Sequence, residues 1–138
     1  MPVRDICHEP VKQALLKDGW IITHDPFKIE YGPKVLYADL GAEQVFAAEK
    51  NERKIVVEVK SFIGASIIAD LEQALGQYIL YADILSDIEP DRIVYLAIRE
   101  EIFATLFNEP LGQLLLRKNR VNLLVFDSEQ REIHQWIP

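Results

Sequence analysis

A chain of 138 residues with 49% hydrophobic and 27% charged side chains can close one sizeable core, which excludes the disordered and fibrous classes. Its formal net charge of −7 opposes tight non-specific binding to nucleic acid, because phosphates are gripped mainly by Lys and Arg, so any such role needs a local basic patch, a metal ion or a partner. A single cysteine, Cys7, excludes an internal disulfide framework, and the three scattered histidines add no zinc spacing.

No run of about 18 apolar residues is present and the N-terminus has no signal-peptide pattern, so the expectation is a cytoplasmic protein without membrane contact. Asp5 to Asp18 reads as an amphipathic helix ended by Gly19, with regular structure starting at Pro10. Glu9 is then either a carboxylate favoured by the helix dipole or a member of an active site. Trp20 to His24 is a first strand, closed by Asp25-Pro26, and Phe27 to Tyr31 extends it or begins another. Val35 to Leu40 is a clearer strand, with Asp39 at the end of an apolar run. Glu43 to Lys50 favours a strand of a hairpin turning at Lys50-Asn51-Glu52 into Ile55–Val59.

Ser66 caps a long helix running to about Leu85, with an apolar stripe of Ile67 or Ile68, Leu71, Leu75, Tyr78 and Ala82. A second stripe is polar: Asp70, Gln73, Gln77 and Tyr81. Gln73 and Gln77 share a face and either look back over the sheet or meet solvent. Arg92 to Ile98 is a strand, and the strand, helix, strand succession predicts a parallel crossover. Two short helices follow, at 101–107 and 111–116. The basic run Arg117-Lys118-Asn119-Arg120 is a solvated helix end or a phosphate contact. Val121 to Phe126 and Glu132 to Ile137 close the chain as a hairpin. The order of elements describes a single α/β domain over 1–138 with a mixed sheet.

The chemistry centres on Ile55-Val56-Val57-Glu58-Val59-Lys60. Glu58 and Lys60 are two residues apart on a β-branched strand, so both side chains point to one face. Burying either charge alone is costly, so the pair is structural or lines a site. A Glu-x-Lys triplet arises by chance in about half of chains this size, and Glu52-Arg53-Lys54 is a second copy. Context separates them, since only the first interrupts an apolar strand after an Asp at a strand end. Asp39 and Glu58 on neighbouring strands would supply hard oxygen ligands for Mg²⁺, and Lys60 would orient a water or neutralise a phosphate, an arrangement suited to metal-dependent phosphodiesterase chemistry.

Asp39 ahead of Glu58-Val59-Lys60, with a following helix bearing Gln73 and Gln77-Tyr78, resembles the PD-(D/E)XK nuclease superfamily. The resemblance implies a restriction-endonuclease-like mixed β-sheet flanked by helices. It implies that Asp39 and Glu58 bind Mg²⁺ or Mn²⁺ and that Lys60 assists catalysis. It also makes the Val59 carbonyl a further ligand, Gln77 a support for the pocket or nucleic-acid backbone, and Glu9 a candidate by position. Ala38 stands where the superfamily has Pro. More closely, Lys17-Asp18-Gly19-Trp20, Ala38-Asp39-Leu40-Gly41-Ala42-Glu43, Val57 to Phe62, Ala74 to Tyr78 and Gln135-Trp136-Ile137 resemble the cyanobacterial XisH family of fdxN element excision controlling factors. That family implies programmed DNA excision beside a recombinase and a companion protein, XisI. The expected function is a metal-dependent DNA endonuclease-like protein acting in that excision. The alternative is a non-catalytic nuclease-fold regulator that binds the recombinase or the companion. DNA is the expected substrate, and a homo-oligomer is expected because small nuclease domains often pair to cut two strands.

Overall fold

The computed structural model describes residues 6–35 and 45–138. Strand β-propensity and helical period account for most of the described elements, while the part of the expected Val35 to Leu40 strand beyond Val35 lies outside the described residues. Helix α1 (His8–Lys17) starts two residues before Pro10, which is tolerated because first-turn amides lack helical partners. It ends where Gly19 takes a φ of +89°, letting the amides of Gly19 and Trp20 reach back to Leu16 and Leu15. Strand β1 (Ile21–His24) follows, then a small ribbon of β2 (Glu30–Tyr31) and β3 (Lys34–Val35). Phe27 to Tyr31 therefore begins a separate ribbon instead of extending β1.

Strands β4 (Val45–Lys50) and β5 (Arg53–Val59) form the expected antiparallel hairpin. Its two connecting residues, Asn51 and Glu52, have φ of +50° and +67°, the left-handed values whose twist matches a tight hairpin. Helix α2 (Ile67–Ile88) is started by Ser66, whose hydroxyl accepts the Ala69 amide at 3.1 Å. It carries the chain to β6 (Arg92–Arg99), which lies parallel to β5. Helix α3 (Glu100–Thr105), a 3₁₀ turn at Leu106–Asn108 and α4 (Pro110–Arg117) lead to β7 (Leu123–Asp127) and β8 (Glu132–Ile137). The main sheet runs β1-β4-β5-β6-β7-β8, with parallel pairing only between β5, β6 and β7.

Alternation along β5 assigns its two faces. Ile55, Val57 and Val59 pack with Val11, Leu15 and Trp20 on the α1 side, whereas Val56 joins Leu71, Ala74, Tyr78 and Tyr81 of α2. Two parts of the expected α2 pattern are corrected. Ile67 and Ile68 are exposed, and Tyr81, assigned by spacing to a polar stripe, is almost wholly buried. The buried arc is set by 71, 74, 78, 81 and 85, a rotation from the expected stripe that places the Tyr81 ring in the core. Trp136 of β8 closes the α1 face, with its ring 4.9 Å from Tyr95 and 5.5 Å from Trp20.

Candidate functional site

Because Val56 faces α2, so does Glu58 two residues on. Its neighbours in register are Val45 on β4 and Leu96 on β6, placing it in the middle of the sheet. The side chain is 1% exposed, and neither carboxylate oxygen has a hydrogen-bond partner among the described residues. Burial pushes its carboxyl well above the ordinary value, and the ammonium of Lys60 offsets this only in part. Tyr78 and Tyr81 feel the same group: burial chiefly raises both phenols, and the Glu58 charge adds to the rise. Tyr78 uses its hydroxyl to accept the Asn122 amide at 3.0 Å, tying α2 to the segment before β7.

Lys60 lies just past the end of β5, at the edge of this buried acid. Its amide donates to the Ala97 carbonyl, and its ammonium donates to Gln73 Oε1 at 2.8 Å. The chain then leaves the sheet sharply. Phe62 adopts a φ of +58°, unusual for a bulky residue, with its ring buried, and Arg99 donates to the Ser61 carbonyl at 2.7 Å. Glu58, Lys60 and Gln73 are thus brought to one side of the sheet. Gln77 is one turn further along α2 and half-buried. Glu9 is exposed, with Lys12 Nζ at 3.5 Å, on a helix packed against the opposite face of β5. Asp39 lies outside the described residues.

A buried carboxylate with neither oxygen engaged among the described residues is donor chemistry that fits a hard divalent cation. One carboxylate alone is a thin ligand set, and Asp39 is the second member that the sequence suggests. A different group could also coordinate a metal ion. Glu100, Asp127 and His134 bring one donor atom each to within 4.8 Å of one another. His134 Nδ1 is 2.9 Å from Glu100 Oε2, and its Nε2 is 3.8 Å from Asp127 Oδ2. Asp127 is held below the ordinary carboxylate value first by the Gln130 amide, helped by the Glu129 amide and His134. Glu100 and His134 border a cavity of about 570 Å³, also lined by Phe103, Phe107, Val125 and Ile133. None of Glu9, Glu58, Lys60, Gln73 and Gln77 is among its lining residues. Sequence reading missed this cluster, and also His8 and Lys12 around Asp25, because nothing in their spacing announces that α3, β7 and β8, or α1 and the loop after β1, converge.

Among the described residues, no helix is long and apolar enough to cross a membrane. Curated proteins provide no match. Two crystal structures are similar over nearly the full length. An XisH family protein from Nostoc punctiforme PCC 73102 is 40% identical with a TM-score of 0.88, the match covering 97% of this chain and all of that one (100%). An fdxN element excision controlling factor protein from Anabaena variabilis is 43% identical, also with a TM-score of 0.88, covering 98% of this chain and 100% of that one. The family profile described as XisH protein matches residues 1–134, so this chain belongs to the XisH family.

Proposed function

We propose that this chain controls excision of a DNA element by binding a protein of the excision apparatus, a recombinase or an XisI-like companion, its nuclease-like fold serving as an interaction module. The observation that carries this reading is 43% identity, over the whole length of the other chain, to a protein described as an fdxN element excision controlling factor. The net charge of −7 supports it, since an acidic surface favours a basic protein partner over DNA. Glu58 then acts as a buried acid inside the module, its carboxyl pushed up by burial.

A second reading is favoured by Glu58 itself, because a deeply buried carboxylate with no hydrogen-bond partner among the described residues is a costly feature for a purely structural core. In that reading the domain is restriction-endonuclease-like over 1–138 and acts on DNA with Mg²⁺ or Mn²⁺. Asp39 and Glu58 would hold the cation, with Lys60 as the catalytic cation and Gln77 as support. The bound metal would supply a Lewis acid and an activated water. Lys60, held by Gln73, would place its charge at the edge of the strand where a phosphate approaches.

Excision measured in cells carrying Glu58→Gln separates the two. Unimpaired excision supports the regulator, and loss of excision with retained partner binding supports the endonuclease. Calorimetric Mn²⁺ titration gives an independent readout: saturable binding lost in Asp39→Ala and Glu58→Ala favours the metal site. A purified chain that binds neither recombinase nor companion overturns the regulator.

A further inference from the structure

The outward side of α2 has no partner within the described molecule. With 71, 74, 78, 81 and 85 turned to the sheet, the opposite arc carries Ile68, Glu72, Gly76, Ile79, Leu80 and Asp83. Ile68, Ile79 and Leu80 are 48%, 49% and 42% exposed, and Ile63, just before the helix, is 62% exposed. Single exposed isoleucines are ordinary, but several on one arc of one helix make a patch of the kind that marks an interface.

Gly76 is the second observation. Glycine in a helix interior is unfavourable relative to Ala, and here a Cβ would meet nothing within 4 Å, so internal packing does not require it. Its bare backbone leaves open space beside Glu72 and Leu80, its neighbours one turn away on the helix surface.

Charge selects the partner. Helix α2 contains Asp70, Glu72, Asp83 and Asp87 and no Lys, Arg or His. Asp70 accepts the Gly64 amide and Asp87 accepts the Tyr31 hydroxyl, which leaves Glu72 and Asp83 interleaved with the apolar arc. A second copy placed face to face would set acid against acid, and nucleic acid or an anionic membrane is repelled in the same way.

We infer that the outward face of α2 docks a helix of a protein partner, presenting an apolar stripe flanked by Lys and Arg. The inference rests on the reading that the chain works through a protein partner, and it names the surface. Gln73, which holds Lys60, lies on the flank of the same helix, so the docked partner borders the Glu58 site.

The test uses the whole chain and an 18-residue amphipathic Leu/Lys helical peptide as probe, with a Leu/Glu peptide as its opposite. Saturable binding of the Leu/Lys peptide alone is expected. The affinity should fall about tenfold or more in Ile68→Ser/Ile79→Ser, and likewise in Glu72→Lys/Asp83→Lys. No saturable binding to wild type, or wild-type affinity retained in either variant, overturns the proposal. So does sedimentation showing a wild-type dimer that Ile68→Ser/Ile79→Ser dissociates, since a second copy then covers the face. The purified companion and recombinase, titrated against the same proteins, separate this surface from the broader reading. Binding that survives all four substitutions rejects α2 and keeps the regulator, whereas absence of binding to wild type rejects the regulator itself.

Discussion

Two carboxylates on opposite sides of the sheet meet burial in opposite ways. Asp25 follows β1 with its side chain 12% exposed, and it accepts Lys12 Nζ at 2.6 Å while His8 Nε2 lies 3.0 Å from its other oxygen. Burial alone pushes its carboxyl up, but the hydrogen bonds from Lys12 and His8 outweigh that and hold it below the ordinary value. Glu58 is buried more deeply, has Lys60 only as a nearby charge, and is pushed up. Burial therefore does not decide a carboxylate's state. What decides it is whether the fold delivers donors to its oxygens, and among the described residues it does so at Asp25 and not at Glu58.

The sharpest way to break this contrast is to delete each acid. Asp25→Ala removes the acceptor shared by Lys12 and buried His8, and should cost about 2–4 kcal/mol in urea unfolding. Glu58→Leu should act in the other direction, raising stability by about 1–3 kcal/mol because it removes a buried polar group that has no hydrogen-bond partner among the described residues. If Glu58→Leu destabilises instead, the carboxylate is engaged and the contrast collapses.

Stability against pH sharpens the same point, and the signs are opposite. The raised Glu58 carboxyl binds its proton more tightly in the folded state. Wild type therefore loses stability as pH rises from the ordinary carboxyl value of 4.5 toward the raised folded value, and then levels off. Glu58→Leu should remove that slope. The lowered Asp25 carboxyl contributes stability that is fully present above its ordinary 3.8 and lost as pH falls through its depressed folded value. The deficit of Asp25→Ala should thus shrink in acid, as denaturant titrations across pH would show.

Smaller effects test the surroundings of Glu58. Tyr78→Phe deletes the acceptor of the Asn122 amide and should cost about 1 kcal/mol. Lys60→Met removes a solvent-facing bond to Gln73, so the stability change should stay within about 0.5 kcal/mol. It should nevertheless raise the Glu58 carboxyl further, because Lys60 is the charge that lowers it. A stability loss of several kcal/mol would show Lys60 to be a buried structural partner of Glu58.

Much of this architecture is legible in local pattern. Ser66 as a cap, the Asn51-Glu52 hairpin turn, Gly19 past the first helix and the β-branched run at Ile55–Val59 each act within a few residues of themselves. The shared face of Glu58 and Lys60 follows from the strand period alone. The rotation of α2 was harder to read, because an apolar helix with Ile, Leu and Tyr on several sides offers more than one plausible stripe, and the sheet beneath selects 71, 74, 78, 81 and 85. Tyr81 differs from its expected polar position for that reason: its hydroxyl suits a polar face, while its ring is buried in the core.

The sequence by itself determined the long helix, the hairpin into β5, the parallel crossover and the placement of Glu58 on a central strand with Lys60 beside it, since each depends on short-range spacing. Only the tertiary structure decided which charges are satisfied. Lys12 and His8 reach Asp25 because α1 packs beside the end of β1, and Lys60 reaches Gln73 because Phe62 turns the chain back over the sheet. The same packing leaves Glu58 without a donor among the described residues and turns Ile68, Gly76 and Ile79 outward. Those outcomes depend on contacts between residues far apart in the chain, which no local period encodes.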